Sequence, residues 1–80
     1  MGGRQQFDLE GKISVLSENG LNAIVRVRNS PVKNFNWAVI NSSTKGRRYL
    51  GKLEEGMEVS MLSEKGGDSF LALEVKLLAP

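Results

Sequence analysis

Hydrophobic and polar residues alternate with period two over most of this 80-residue chain, which predicts strands rather than helices. The first alternating run covers 7–16. Phe7, Leu9, Gly11, Ile13 and Val15 fall on one face; Asp8, Glu10, Lys12 and Ser14 fall on the other. Gly11 is the expected place for a bulge or bend, since glycine adds no packing and allows unusual backbone angles. Ser17-Glu18-Asn19-Gly20 reads as a tight turn, because Asn-Gly tolerates the positive φ angles a two-residue hairpin needs. A second strand then runs over 21–28, with Leu21, Ala23, Val25 and Val27 inward and Ile24, Arg26 and Arg28 outward.

Pro31 lacks the amide proton a sheet ladder requires, so 29–34 is a break. A third strand is expected over 35–40, with Phe35, Trp37 and Val39 on one face and Asn36, Ala38 and Ile40 on the other. Residues 41–56 lose the alternation, and leave room for a short helical turn across 45–50. A fourth strand over 57–64 turns Met57, Val59 and Met61 inward, and Lys65-Gly66-Gly67-Asp68 makes a second hairpin turn. The last strand, over 69–78, is expected to turn Leu71, Leu73, Val75 and Leu77 inward and Phe70, Ala72, Glu74 and Lys76 outward.

Five strands, two hairpins and a sixteen-residue connection between the third and fourth strands predict an all-β fold, a small closed five-stranded barrel. Closure removes the open edges that so small a sheet would otherwise expose. The order is that of an OB-fold; an SH3-like barrel is the rival, and the long connection favours the OB-fold. Residues 1–6 read as a flexible lead and 7–79 as one barrel domain.

Composition narrows the chemistry. There is no cysteine, so no disulfide and no thiolate metal site, and no histidine for acid–base work near neutral pH. Glu54 and Glu55 are adjacent at a turn, and Asp8 and Glu10 share a polar strand face, so neither pair signals a perturbed carboxylate. The sequence therefore assigns no catalytic residue, no metal ligand and no cofactor, and the reading is of a protein that is not an enzyme. No apolar run approaches the roughly 18–20 residues of a membrane span, and residues 1–6 lack the apolar middle of a signal peptide. A cytoplasmic location with no membrane partner is the expectation.

Charge changes the picture more. From Asn19 to Leu53 there is no acidic residue, while Arg26, Arg28, Lys33, Lys45, Arg47, Arg48 and Lys52 supply seven positive charges. The remaining residues carry four positive charges against nine negative ones, so the net +2 conceals a basic middle between acidic ends. Such an asymmetry points to a polyanion, since lysine and arginine neutralise phosphates whatever the base sequence.

The residues Glu10-Gly11-Lys12-Ile13, Val39-Ile40, Lys45-Gly46-Arg47-Arg48-Tyr49 and Leu53-Glu54-Glu55-Gly56-Met57-Glu58-Val59 resemble the OB-fold domains of the bacterial translation initiation factor one and S1-type group. The resemblance implies RNA contact by Lys45, Arg47, Arg48 and Tyr49. The chain departs from the family at 29–34, where a proline-containing loop stands in place of a short glycine hairpin.

Together these readings predict a binder of single-stranded nucleic acid, RNA ahead of DNA, through Arg26, Arg28, Lys33, Lys45, Arg47, Arg48 and Lys52. Tyr49 is the first stacking platform. Phe70, outward on its strand, and Trp37, weighed toward the core by its companions Phe35 and Val39, are the further candidates. A ribonucleoprotein is one expected partner. The rival class is a non-catalytic interaction or adaptor module that docks an acidic protein surface, with Phe70 and Ile24 as anchors.

Overall fold

The computed structural model describes residues 5–18, 22–46 and 53–78. Its elements are β1 (Gln6–Leu16), β2 (Ala23–Arg28), β3 (Trp37–Ile40), β4 (Glu58–Lys65) and β5 (Phe70–Leu77). They close a barrel in the order β1-β2-β3-β5-β4. The long first strand makes closure possible. Its first half, Gln6 to Lys12, pairs antiparallel with β4, and its second half, Glu10 to Leu16, pairs antiparallel with β2. The seam between β3 and β5 is parallel and short, with Ala38 opposite Phe70 and Val39 opposite Leu71. A parallel pair requires a crossing connection, and the chain from 41 to 57 belongs to it. This is the OB-fold order, not that of the SH3-like rival.

Two bulges reset the alternation that the sequence displays. In β1, Ile13 pairs with Val25 and Val15 with Ile24, so Ser14 is an extra residue. Beyond it Val15 turns outward, half exposed, and Leu16 takes the partly buried side. The bulge is therefore at Ser14 and not at Gly11. Gly11 keeps regular partners on both sides, Val27 and Val59. Glycine is required there by proximity: a Cβ would stand 2.3 Å from the Arg26 carbonyl oxygen.

In β5, Glu74 pairs with Leu62 and Ala72 with Ser63, leaving Leu73 as the extra residue. Its effect corrects the predicted facing before the bulge, while Val75 is inward and Lys76 outward as expected. Phe70, Ala72 and Val75 point into the core, Leu71 and Leu73 are half-buried, and Leu77 is exposed. Phe70 is fully buried, with edge-on ring contacts to Phe7 at 5.5 Å and to Phe35 at 5.4 Å. In β3 the expected faces are also exchanged: Ala38 and Ile40 are fully buried while Trp37 is exposed. Phe35 precedes the strand, packing against the core from the loop. That loop reverses at Asn29 and Asn34, both at positive φ, an angle asparagine tolerates better than most residues.

The connection after β3 is clipped to the second bulge. Thr44 is buried; its hydroxyl donates to the Ala72 carbonyl at 2.8 Å and accepts the Asn41 N–H at 3.0 Å. The Lys45 N–H donates to the Leu73 carbonyl, and the Val75 N–H donates to the Lys45 carbonyl, each at 2.9 Å. Gly46 follows with φ +86, where an added Cβ would meet the Val75 carbonyl at 2.4 Å. Leu53 enters the core from the far side of the connection. Among the described residues of 41–57 there is no helix; most of the expected turn across 45–50 lies outside them.

Candidate functional site

The outer face of β1, β2 and β3 carries the most distinctive surface. Pairing aligns its outward side chains, exposed or half-buried, in rows that cross the strands. One row runs Glu58, Lys12, Arg26, Trp37. A second, apolar row runs Val15, Ile24, Val39, Leu71 across β1, β2, β3 and β5. Val15 is 50% exposed, Ile24 39% and Trp37 39%. Even strand parity fixes this display: Ala23, Val25 and Val27 fill the core, so Ile24, Arg26 and Arg28 must face outward. The bulge at Ser14 brings Val15 to the same side.

Both arginines on this face are engaged locally. The Arg26 guanidinium lies over the Trp37 ring, 5.6 Å from its centroid. The Arg28 Nη2 donates to Glu58 Oε1, reaching diagonally over β1. Lys12 and Arg26 sit between Glu58 and Trp37 in their row, and Glu10 stands opposite Arg28 in the next. The face is thus close to charge-balanced, three cations beside two carboxylates. An open cleft of about 550 Å³ runs beside it, lined in part by Lys12, Ser14, Arg26, Arg28 and Glu55.

The predicted binding residues are not gathered in one place. Arg26, Arg28 and Trp37 share the outer face. Lys33 is exposed in the loop between β2 and β3. Lys45 is pinned by its backbone against β5, with Glu74 as its bridge partner. Phe70 is a core residue, so it is neither a stacking platform nor a docking anchor. Arg47, Arg48, Tyr49 and Lys52 lie outside the described residues. Trp37, in contrast, is the accessible aromatic that the third strand's pattern had assigned mainly to the core. Sequence reasoning missed Val15, Val39 and Lys12 as parts of a shared surface, because rows across strands exist only once register is known.

No family model matches the chain, and no curated protein matches it. Solved structures do. The chain is similar to silver(I)-bound CusF, with a TM-score of 0.61 and 15% identity over 92% of this chain and 99% of that one. It is likewise similar to a tryptophan-to-alanine variant of Escherichia coli CusF with copper(II), with a TM-score of 0.61 and 15% identity over 99% of this chain and all of that one. At this identity the likeness establishes the fold.

These neighbours correct the nucleic-acid expectation. Both are named with a metal ion, and neither with RNA or DNA. The resemblance to the initiation-factor group holds for the barrel and not for its ligand. Single-stranded RNA or DNA, a ribonucleoprotein and an acidic protein surface are withdrawn as partners. The outer face supplies the physical reason: its cations are interleaved with Glu10 and Glu58, and one arginine is already paired.

The neighbours' silver(I) and copper(II) do not carry over on donor chemistry either. Silver(I) is soft and selects thiolate and thioether sulfur, while copper(II) is borderline and favours imidazole and other nitrogen and oxygen donors. The chain has no cysteine or histidine. Met61 is 2% exposed within the core, and the Met57 sulfur accepts the Glu54 N–H at 3.0 Å. Among the described residues no three acidic, histidine or cysteine side chains come together. No helix among them is long and apolar enough to cross a membrane.

Proposed function

We propose that this barrel is a non-catalytic docking module that seats another protein chain on the outer face of β1, β2 and β3. One observation carries the reading: Trp37 is 39% exposed and stands beside a continuous apolar row, Val15–Ile24–Val39–Leu71. Contiguous exposed apolar surface rimmed by polar residues marks interaction sites, and tryptophan and arginine are the side chains that most often dominate them. On this face Arg28 is paired with Glu58 and Arg26 lies over the Trp37 ring, an arrangement that suits contact with a partner chain.

The test is position-dependent crosslinking. A photoreactive residue at position 24 should give a discrete protein adduct in cells that disappears on Trp37→Ala. The same residue at Leu77, still more exposed but outside the two rows, should give none. Equal labelling at both positions, or labelling at 24 that ignores Trp37, refutes the docking face. A parallel titration with silver(I) should leave Trp37 fluorescence without a saturable one-to-one change; a stoichiometric end point would restore the neighbours' cargo as the function.

A further inference from the structure

Along the edge of β5 that faces β3, the chain bows away from the sheet. β3 pairs as far as Val39 with Leu71, and pairing resumes only where Lys45 bridges Glu74. Residues 40–44 therefore stand opposite Ala72 and Leu73 alone. The buried Thr44 hydroxyl ties the bow to the Ala72 carbonyl, and beside it lies an open cleft of about 410 Å³. Its lining includes the half-buried Leu62, Leu71 and Leu73, together with Asn41, Lys45 and Glu74. Ligand pockets run from about 300 to 1,000 Å³, so this one suits a small molecule.

Two opposite charges meet at the cleft without neutralising each other. Lys45 and Glu74 are bridge partners, one strand spacing of about 4.8 Å apart. Among the described residues, the Lys45 ammonium and the Glu74 carboxylate form no ion pair, with each other or with any other group. Asn41 accepts the Ser43 N–H on its side-chain oxygen at 2.9 Å, while its amide N–H groups have no partner among the described residues.

This pattern selects a class of ligand. A carboxylate alone meets Lys45 but is repelled by Glu74, and an amine alone meets Glu74 but is repelled by Lys45. An uncharged apolar molecule strips water from both charges and returns nothing. A zwitterion satisfies both at once. We infer that the cleft binds a small zwitterion with an aliphatic arm, a molecule of the α-amino-acid type. Its carboxylate is taken by Lys45 and the Asn41 amide, its ammonium by Glu74, and its arm by Leu62, Leu71 and Leu73. The site goes beyond the docking reading and does not depend on it, sharing only Leu71 with the apolar row.

The experiment titrates the full chain, isotope-labelled, with L-leucine and with analogues that each lack one feature. Isocaproate lacks the ammonium, isoamylamine lacks the carboxylate, and glycine lacks the arm. Leucine should shift the Leu62, Leu71 and Leu73 methyl resonances together and saturably, with a Kd of about 1 mM for a ligand of this size. Each analogue should bind about three- to tenfold more weakly, the loss of one half-exposed charged contact or one partly buried arm. Lys45→Gln should abolish the preference for leucine over isoamylamine and keep that over isocaproate; Glu74→Gln should do the reverse. Lys33→Gln, in the exposed loop between β2 and β3, should leave both preferences within about twofold. Equal binding of leucine, isocaproate and isoamylamine, or preferences that survive both substitutions, overturns the zwitterion assignment. Absence of saturable shifts with leucine overturns the site itself. Neither result touches the crosslinking at position 24, which decides the docking face separately.

Discussion

Replacing Phe70 tests the reading of β5 most directly. Its side chain is fully buried and touches two other rings edge-on, Phe7 and Phe35. Truncating a buried phenylalanine to alanine costs about 3–5 kcal/mol, the sum of lost transfer energy and the cavity left behind. A domain of this length has a total stability on the order of 4–12 kcal/mol, so Phe70→Ala should remove about a quarter or more of it. Phe70→Leu keeps most of the volume and forfeits the two ring contacts, each worth about 0.5–1.5 kcal/mol. The leucine variant should therefore lose roughly 1–3 kcal/mol, equivalent to a fall in Tm of about 4–24 °C. Urea unfolding followed by circular dichroism, with Trp37 fluorescence as a second probe, measures both. A Phe70→Ala midpoint within about 0.5 kcal/mol of the parent at unchanged m would mean that the ring faces solvent and that the bulge at Leu73 is misplaced.

Two other substitutions probe the barrel's interior. Gly11→Ala should destabilise by about 1–3 kcal/mol, because the new methyl meets a backbone carbonyl that cannot swing aside; the modest stabilisation usual for Gly→Ala in an unstrained position would refute the close approach, again by urea midpoint. The Ser63 hydroxyl is fully buried and has no hydrogen-bond partner among the described residues, so Ser63→Ala should hold stability level or raise it by about 1 kcal/mol in a thermal melt. A loss above about 1 kcal/mol would show that the hydroxyl is satisfied after all.

Much of the architecture was legible in the chain. Alternation in β2, and the turn chemistry after β1 and β4, were enough to place five strands and infer closure. Facing was legible only where the period ran unbroken. Ala23, Val25 and Val27 were assigned correctly, whereas Phe70 and Val15 were reversed because a bulge inserts one residue without any fixed sequence signature. Trp37 was misjudged for another reason. In a four-residue strand either face can look apolar, and small Ala38 with Ile40 fits the crowded interior better than an indole does. Charge counting failed at the site because a list of cations carries no information about which carboxylates sit beside them. Lys12, Arg26 and Arg28 are basic in sequence; across the sheet they are neighbours of Glu10 and Glu58.

The shortness of the β3–β5 seam has a kinetic meaning. The β1–β2–β3 meander and the β4–β5 hairpin each fold over short loops, but Ala38 meets Phe70 and Val39 meets Leu71 only across more than thirty residues of chain. Closing a loop of that length carries an entropy cost that slows folding, and the β1–β4 pairing, with Gln6 opposite Glu64, spans more chain still. Lys45 holds β5 by two backbone bonds soon after β3 ends, so it shortens the gap between those two strands. That seam therefore carries a latch, and a lesion at Gly46 or Thr44 would slow the joining of β3 to β5 more than it would alter the meander and the hairpin being joined.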